Sequence, residues 1–199
     1  GEDSGTGVGF TRNPATGEKG LYGEYLRNAQ GEDVGAGVRT PEPLERLKGY
    51  APGLYEELLQ VAERLERHFR DMQDFEFTVE RGRLFLLQTR AGKRTAQAAV
   101  RIAVEMAEEG LISREEAVMR VEANALPGLL RPSVDRDQAP RPLLKGLPAS
   151  PGAAVGHAAF TNEAVERFHA QGLPAVLVRP ETTPEDITGM YLAKGILTA

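Results

Sequence analysis

The sequence predicts a mixed α/β (α+β) protein in two parts. Three observations carry this: a long amphipathic helix leading into an alternating hairpin, a proline-rich stretch near the middle, and short apolar strands alternating with helical stretches beyond it. Gly1 to Gly9 (GEDSGTGVG) is too glycine-rich to read as helix or regular strand and is expected to be a loop. Asn13-Pro14 and Thr16-Gly17 mark turns, Tyr22 to Ala29 is an expected strand, and a polar loop follows through Thr40. Pro41 to Leu47 predicts a short helix opened by its proline.

From Gly53 to Met72, Leu54, Leu58, Val61, Leu65 and Phe69 recur at helical spacing, with charged residues on the other faces. Phe75 to Val79 then alternates at the strand period, Glu80-Arg81-Gly82 turns, and Leu84 to Thr89 returns. A three-residue loop with Gly82 at its left-handed position is expected there. Two further helices are expected, Thr95 to Glu109 and one starting at Ser113, where Ser113 and Glu116 have capping-box spacing. Pro127 to Pro142 breaks into prolines and scattered charges and reads as a linker. After it, strands at Ala153 to Phe160, Ala175 to Val178 and Gly195 to Leu197 alternate with helices at Glu163 to Gln171 and Pro184 to Ala193. Thr183-Pro184 with Asp186 three positions on is a helix-start signature.

A net charge of −5 argues against a general nucleic-acid binder but leaves room for a small anion held by a few placed groups. The 199 residues contain no cysteine, which removes disulfides, thiolate metal sites and cysteine catalysis and suits a reducing, cytoplasmic setting. No apolar run approaches the ~20 residues that span a bilayer, so no membrane partner is expected. The chain opens on a glycine-rich run without methionine and stops after Gly195-Ile196-Leu197, so the expectation is an interior piece of a larger protein.

One constellation suits phosphate chemistry. With a three-residue loop, Asp74, Glu76, Gln88 and Arg90 share one face of the hairpin, and Phe75, Phe77, Val79, Phe85 and Leu87 the other. Hard oxygens suit Mg²⁺, and the metal with Arg neutralises a polyphosphate. The alternative is an ordinary solvated hairpin face, and a two-residue loop at Arg81-Gly82 would scatter the cluster. Ser4-Gly5-Thr6-Gly7-Val8-Gly9 allows close backbone approach to an anion, although it is neither a P-loop nor a dinucleotide fingerprint. Thr182 to Asp186 reads as a capped helix start, and His68, His157 and His169 as structural.

The runs Ser4 to Pro14, Tyr22 to Leu26, Asn28 to Val34, Asp74 to Thr78, Leu87 to Arg90, Leu147 to Gly156, Glu181 to Asp186 and Gly195 to Ala199 closely resemble, in order, the pyruvate, phosphate dikinase family of phosphoenolpyruvate-utilising enzymes. The segment from Leu147 is also similar to the phosphohistidine domain of phosphoenolpyruvate synthase and of enzyme I of the sugar phosphotransferase system. The resemblance implies the C-terminal part of an ATP-grasp domain over residues 1–126, a hinge over 127–146 and the start of a swivelling β/β/α phosphohistidine domain over 147–199. It implies an enzyme interconverting ATP, pyruvate and phosphate with AMP, phosphoenolpyruvate and pyrophosphate, homodimeric at full length, with Mg²⁺ as cofactor. Glu24, Asp74, Glu76, Gln88 and Arg90, with Ser4, Gly5, Thr6 and Gly7 nearby, match its ATP-binding residues, and Asp74 and Glu76 its metal ligands. The family's phosphorylated histidine is expected just beyond Ala199, and its N-terminal Lys and Arg and its pyruvate barrel lie elsewhere, so this chain alone is expected to be inactive. The rival within the class is phosphoenolpyruvate synthase; the rival outside it is a non-catalytic nucleotide-binding or interaction module.

Overall fold

A computed structural model describes residues 3–28 and 40–199. The polar loop expected between Ala29 and Thr40 falls mostly outside the described residues. The chain divides into two compact units, Gly1–Leu126 and Pro127–Ala199.

The first unit is built on a five-stranded antiparallel sheet. Its strands are β1 (Gly5–Arg12), β2 (Lys19–Arg27), β3 (Glu42–Pro43), β4 (Gln73–Glu80) and β5 (Arg83–Ala91), in the spatial order β3-β2-β1-β4-β5. The glycine-rich start is therefore the central strand and not a loop. Space explains this: a methyl on Gly7 would lie 2.6 Å from Phe77 Cζ and 2.6 Å from the Glu24 carbonyl oxygen, and rings of Tyr25 and Phe75 occupy the room left by Gly5 and Gly9. Glycine here makes way for neighbouring aromatics, with Tyr25 stacked on Phe77 at 5.9 Å. The expected helix at Pro41 to Leu47 becomes β3, a 3-10 turn over Leu44–Arg46 and a single helical turn, α1 (Leu47–Tyr50). Pro43 and not Pro41 precedes the turn.

Helix α2 (Pro52–Phe69) opens on its proline and stops at Arg70, whose φ of 53° is left-handed. Its Leu58, Ala62 and Leu65 bury against Leu21, Tyr25, Phe75, Phe77 and Val79, all on one face of the sheet. Helices α3 (Ala96–Glu108) and α4 (Arg114–Met119) start at Thr95 and Ser113, whose hydroxyl oxygens accept from the Ala98 and Glu116 amides. They enclose a second cluster of Met72, Ile102, Met106 and Ile112.

Arg12, fully buried, ties these pieces together. Its Nε and Nη2 lie 3.0 Å from Glu66 of α2, and its guanidinium also reaches Glu105 and Glu109 at the end of α3 at 3.2 Å. Beside it the ladder is irregular, with one extra residue on β2 between the Phe10–Tyr22 and Arg12–Lys19 pairs.

A turn of helix at Leu126–Leu129 falls at the boundary, and the second unit opens on a long irregular stretch. A parallel three-stranded sheet follows, β6 (His157–Ala159), β7 (Ala175–Arg179) and β8 (Gly195–Thr198), with β7 central. Strand β6 is shorter than the expected Ala153 to Phe160. Helices α5 (Asn162–Ala170) and α6 (Ile187–Leu192) return the chain, and Val165, Ala159, Ala175 and Leu177 form the core. Thr183 and Asp186 make the full capping box. No helix among the described residues is long and apolar enough to cross a membrane.

Candidate functional site

The site begins with the register of the β4–β5 hairpin. Glu80 pairs with Arg83, so the loop is the two residues Arg81-Gly82, both left-handed at φ 49° and 76°, and not the expected three. Left regular, such a hairpin sets Leu87 opposite Glu76 and turns Gln88 and Arg90 away. A one-residue bulge intervenes: Phe77 pairs with Leu86, and Glu76 with Gln88, leaving Leu87 as the extra residue. Beyond the bulge Asp74 pairs with Arg90. The four side chains share a face through a tight turn plus a bulge.

The same register corrects two apolar assignments. Phe85 pairs with Thr78 and so lies on the polar face, 39% exposed, while Leu87 sits on the bulge at 60% exposed. Leu84 and Leu86, opposite Val79 and Phe77, take the core-side positions instead.

Across the sheet, directly opposed residues form three rows on this face. The middle row runs Glu24, Val8, Glu76, Gln88; the rows beside it run Tyr22, Phe10, Asp74, Arg90 and Leu26, Thr6, Thr78, Phe85. Glu24 and Glu76 flank Val8 about 10 Å apart, two interstrand spacings. Neither carboxylate is in an ion pair or hydrogen bond among the described residues, and both residues are exposed. Asp74 differs. Its side chain is nearly buried and receives Arg90 Nε at 2.8 and 3.0 Å from its two oxygens. Three carboxylates against one guanidinium leave an acidic face that a cation would neutralise.

Of the remaining sequence candidates, Thr6 lies on this face but is buried, its hydroxyl donating to the Phe77 carbonyl at 3.2 Å. Ser4 precedes β1, and its hydroxyl accepts from the Arg81 amide by the hairpin turn, about 13 Å along the strand from Val8. Gly5 and Gly7 point to the core face, against Tyr25 and Phe77. The structure therefore brings Glu24, Asp74, Glu76, Gln88, Arg90 and Thr6 to one face and leaves Ser4, Gly5 and Gly7 out of it. His157 stacks on Phe168 and His68 packs edge-on to Phe69, and no group of three or more His, Asp or Glu side chains among the described residues is placed to hold a metal. Sequence reasoning placed Val8 in a backbone anion loop and gave no role to its side chain, which centres the acidic row. Its parity with Thr6 along β1 was the available signal, hidden by reading the glycines as a loop.

The family model for the pyruvate phosphate dikinase AMP/ATP-binding domain matches residues 54–111, which contain both strands of the hairpin. The pyruvate, phosphate dikinase of Clostridium symbiosum is 56% identical over 200 residues, covering 100% of this chain and 23% of that protein. The chloroplastic pyruvate, phosphate dikinases of Flaveria trinervia and Arabidopsis thaliana are 57% and 55% identical over 201 residues, again covering 100% of this chain and 21% of theirs. The chain thus spans between a fifth and a quarter of the length of these relatives, and along its whole length it is similar to that part of pyruvate, phosphate dikinases.

Proposed function

We propose that the first unit supplies one wall of the Mg·ATP site of a dikinase that interconverts ATP, pyruvate and phosphate with AMP, phosphoenolpyruvate and pyrophosphate through a phosphohistidine. The observation that carries this is the acidic row Glu24–Val8–Glu76–Gln88 beside the Asp74–Arg90 pair. In this reading residues 1–126 are the C-terminal part of an ATP-grasp domain, 127–146 a hinge and 147–199 the start of a swivelling phosphohistidine domain, within a cytoplasmic homodimer.

The donor set fits Mg²⁺ in the way that ion is usually held, by one or two carboxylates with phosphate oxygens completing the shell. Glu76, whose carboxylate is unengaged, would be the principal protein ligand, with Asp74 beside it on the strand. The ion would neutralise charge building on the phosphates during transfer. Arg90, held by Asp74, presents its guanidinium at the sheet surface to a phosphate oxygen, and Gln88 offers an amide donor next to Glu76. Val8 places an apolar side chain between the two glutamates.

The test uses a polypeptide of dikinase length containing this segment. Glu76→Gln is expected to lower nucleotide-dependent phosphotransfer by about 10- to 100-fold, the loss of one charge-assisted contact. Lys93→Gln, an exposed position off the row, serves as the control. Rates for Glu76→Gln matching that control would contradict the assignment, and phosphotransfer that needs no inorganic phosphate would favour a phosphoenolpyruvate synthase.

A further inference from the structure

Past the bulge, β5 reads Gln88-Thr89-Arg90-Ala91, with no large apolar side chain whose burial could choose the register. A one-residue slip there would move both Gln88 and Arg90 to the opposite face. The turn fixes register only as far as the bulge, and the Asp74–Arg90 pair holds it weakly, since the Arg90 side chain is 59% exposed and screened by water. Just past β5 the Arg94–Asp71 pair and the Gly92 amide on the Met72 carbonyl tie the following loop to the start of β4, but within Gln88 to Ala91 another group must hold the register.

On the opposite face of the sheet, Gln73 and Thr89 form a diagonal tie that spans the Asp74–Arg90 pair. Gln73 is buried. Its backbone amide donates to Thr11 Oγ1 at 3.0 Å, anchoring it to β1, and its Nε2 donates to the Met72 carbonyl at 3.1 Å. With both ends of the residue fixed, its Oε1 is aimed across to β5, where the Thr89 hydroxyl donates to it at 3.0 Å and lies 3.3 Å from the Asp74 carbonyl. Every polar atom in the chain from Thr11 to Thr89 has a partner, so a slip of β5 would strand the buried Gln73 oxygen without a donor.

We propose that Gln73 and Thr89 are positioning residues, a polar register lock that holds Gln88 and Arg90 on the nucleotide face. The inference rests on the reading of that face given above, but the lock is measured without nucleotide. In the 199-residue chain, cross-strand NOEs between Asp74 and Arg90 and between Glu76 and Gln88 report the register, and hydrogen exchange at Arg90 Nε reports the ion pair. Thr89→Val, which keeps the shape and removes the donor, is expected to lose or double both NOEs and to speed Arg90 Nε exchange, with the signals of α2 and its core unmoved. Thr89→Ser restores the donor and should restore the wild-type pattern. Gln73→Met is the second variant, expected to match Thr89→Val, so that misfolding of one leaves the other to decide. In a dikinase-length polypeptide, Thr89→Val should raise the KM for ATP about tenfold, the effect of one lost contact, with Thr89→Ser near wild type. Unchanged NOEs and Arg90 exchange in the variants would overturn the lock. If the register shifts while Glu76→Gln has no effect on phosphotransfer, the lock stands and the nucleotide reading falls.

Discussion

Replacing Arg12 with methionine is expected to lower the unfolding free energy of the first unit by about 3–5 kcal/mol, because it strands a buried carboxylate. The Arg12 side chain is 0% exposed and that of Glu66 6%, and the other two carboxylates, Glu105 and Glu109, keep 28% and 30%. Burial alone would favour loss of the Arg12 proton, but hydrogen bonds and attraction from Glu66 and Glu109 outweigh it and hold the group charged. A double variant, Arg12→Met with Glu66→Met, should recover much of the loss, since a well-packed apolar pair can equal a buried ion pair. Urea unfolding followed by fluorescence from the tyrosines checks both. Acid provides a second readout. Burial would raise the Glu109 pKa, but its bonds to Lys19 and Arg12 bring it below the usual glutamate value. Its contribution is therefore present above that value and fades as pH falls through the lowered one. Arg12→Met should flatten this acid limb; a variant with wild-type stability and an unchanged limb would remove Arg12 from its central place.

The second large effect is expected at Gly23→Ala. At φ 136° an L side chain is strained by about 1–3 kcal/mol. A methyl there would also overlap the Val8 carbonyl, overpacking worth about 1–3 kcal/mol more. The damage falls on the strand pair that carries Glu24 and Val8, so the acidic row should lose its spacing with the stability. Gly82→Ala is the comparison: its φ of 76° is unfavourable too, but its methyl would enter open space. It should lose only the backbone component. Equal losses at the two positions, measured by denaturant midpoints, would show that the close approach of β1 and β2 is not what glycine provides.

Periodicity made α2, α3 and the hairpin legible, because each carries its apolar residues at a spacing that only one conformation can bury. Strand β1 was not legible. Its glycines look like a loop until the rings of Tyr25, Phe75 and Phe77 are known to lie opposite them, and that is a matter of register. The polar hairpin face was legible for a different reason from the one that produces it. A three-residue loop and a two-residue loop with a bulge at Leu87 give Gln88 and Arg90 the same parity, but only the latter exposes Phe85 with them. The Arg12 cluster joins residues 54 and 97 positions apart, beyond any local pattern. The tie between Gln73 and Thr89 is hidden likewise, since two uncharged side chains on adjacent strands carry no signal until the strands are aligned.

Paramagnetic broadening by Mn²⁺ with ATP shows whether the row from Glu24 to Gln88 faces a metal-bound nucleotide. Millimolar nucleotide suits the 199-residue chain, for which weak affinity is expected. The methyl signals of Val8, at the centre of the row, are expected to broaden in Mn·ATP, while those of Leu58 and Leu65, buried on the other side of the sheet, stay sharp. Excess Mg·ATP should restore the Val8 signals, and Glu76→Gln should weaken the broadening. Broadening centred on the α2 side of the sheet, or equal at Val8, Leu58 and Leu65, would contradict this expectation.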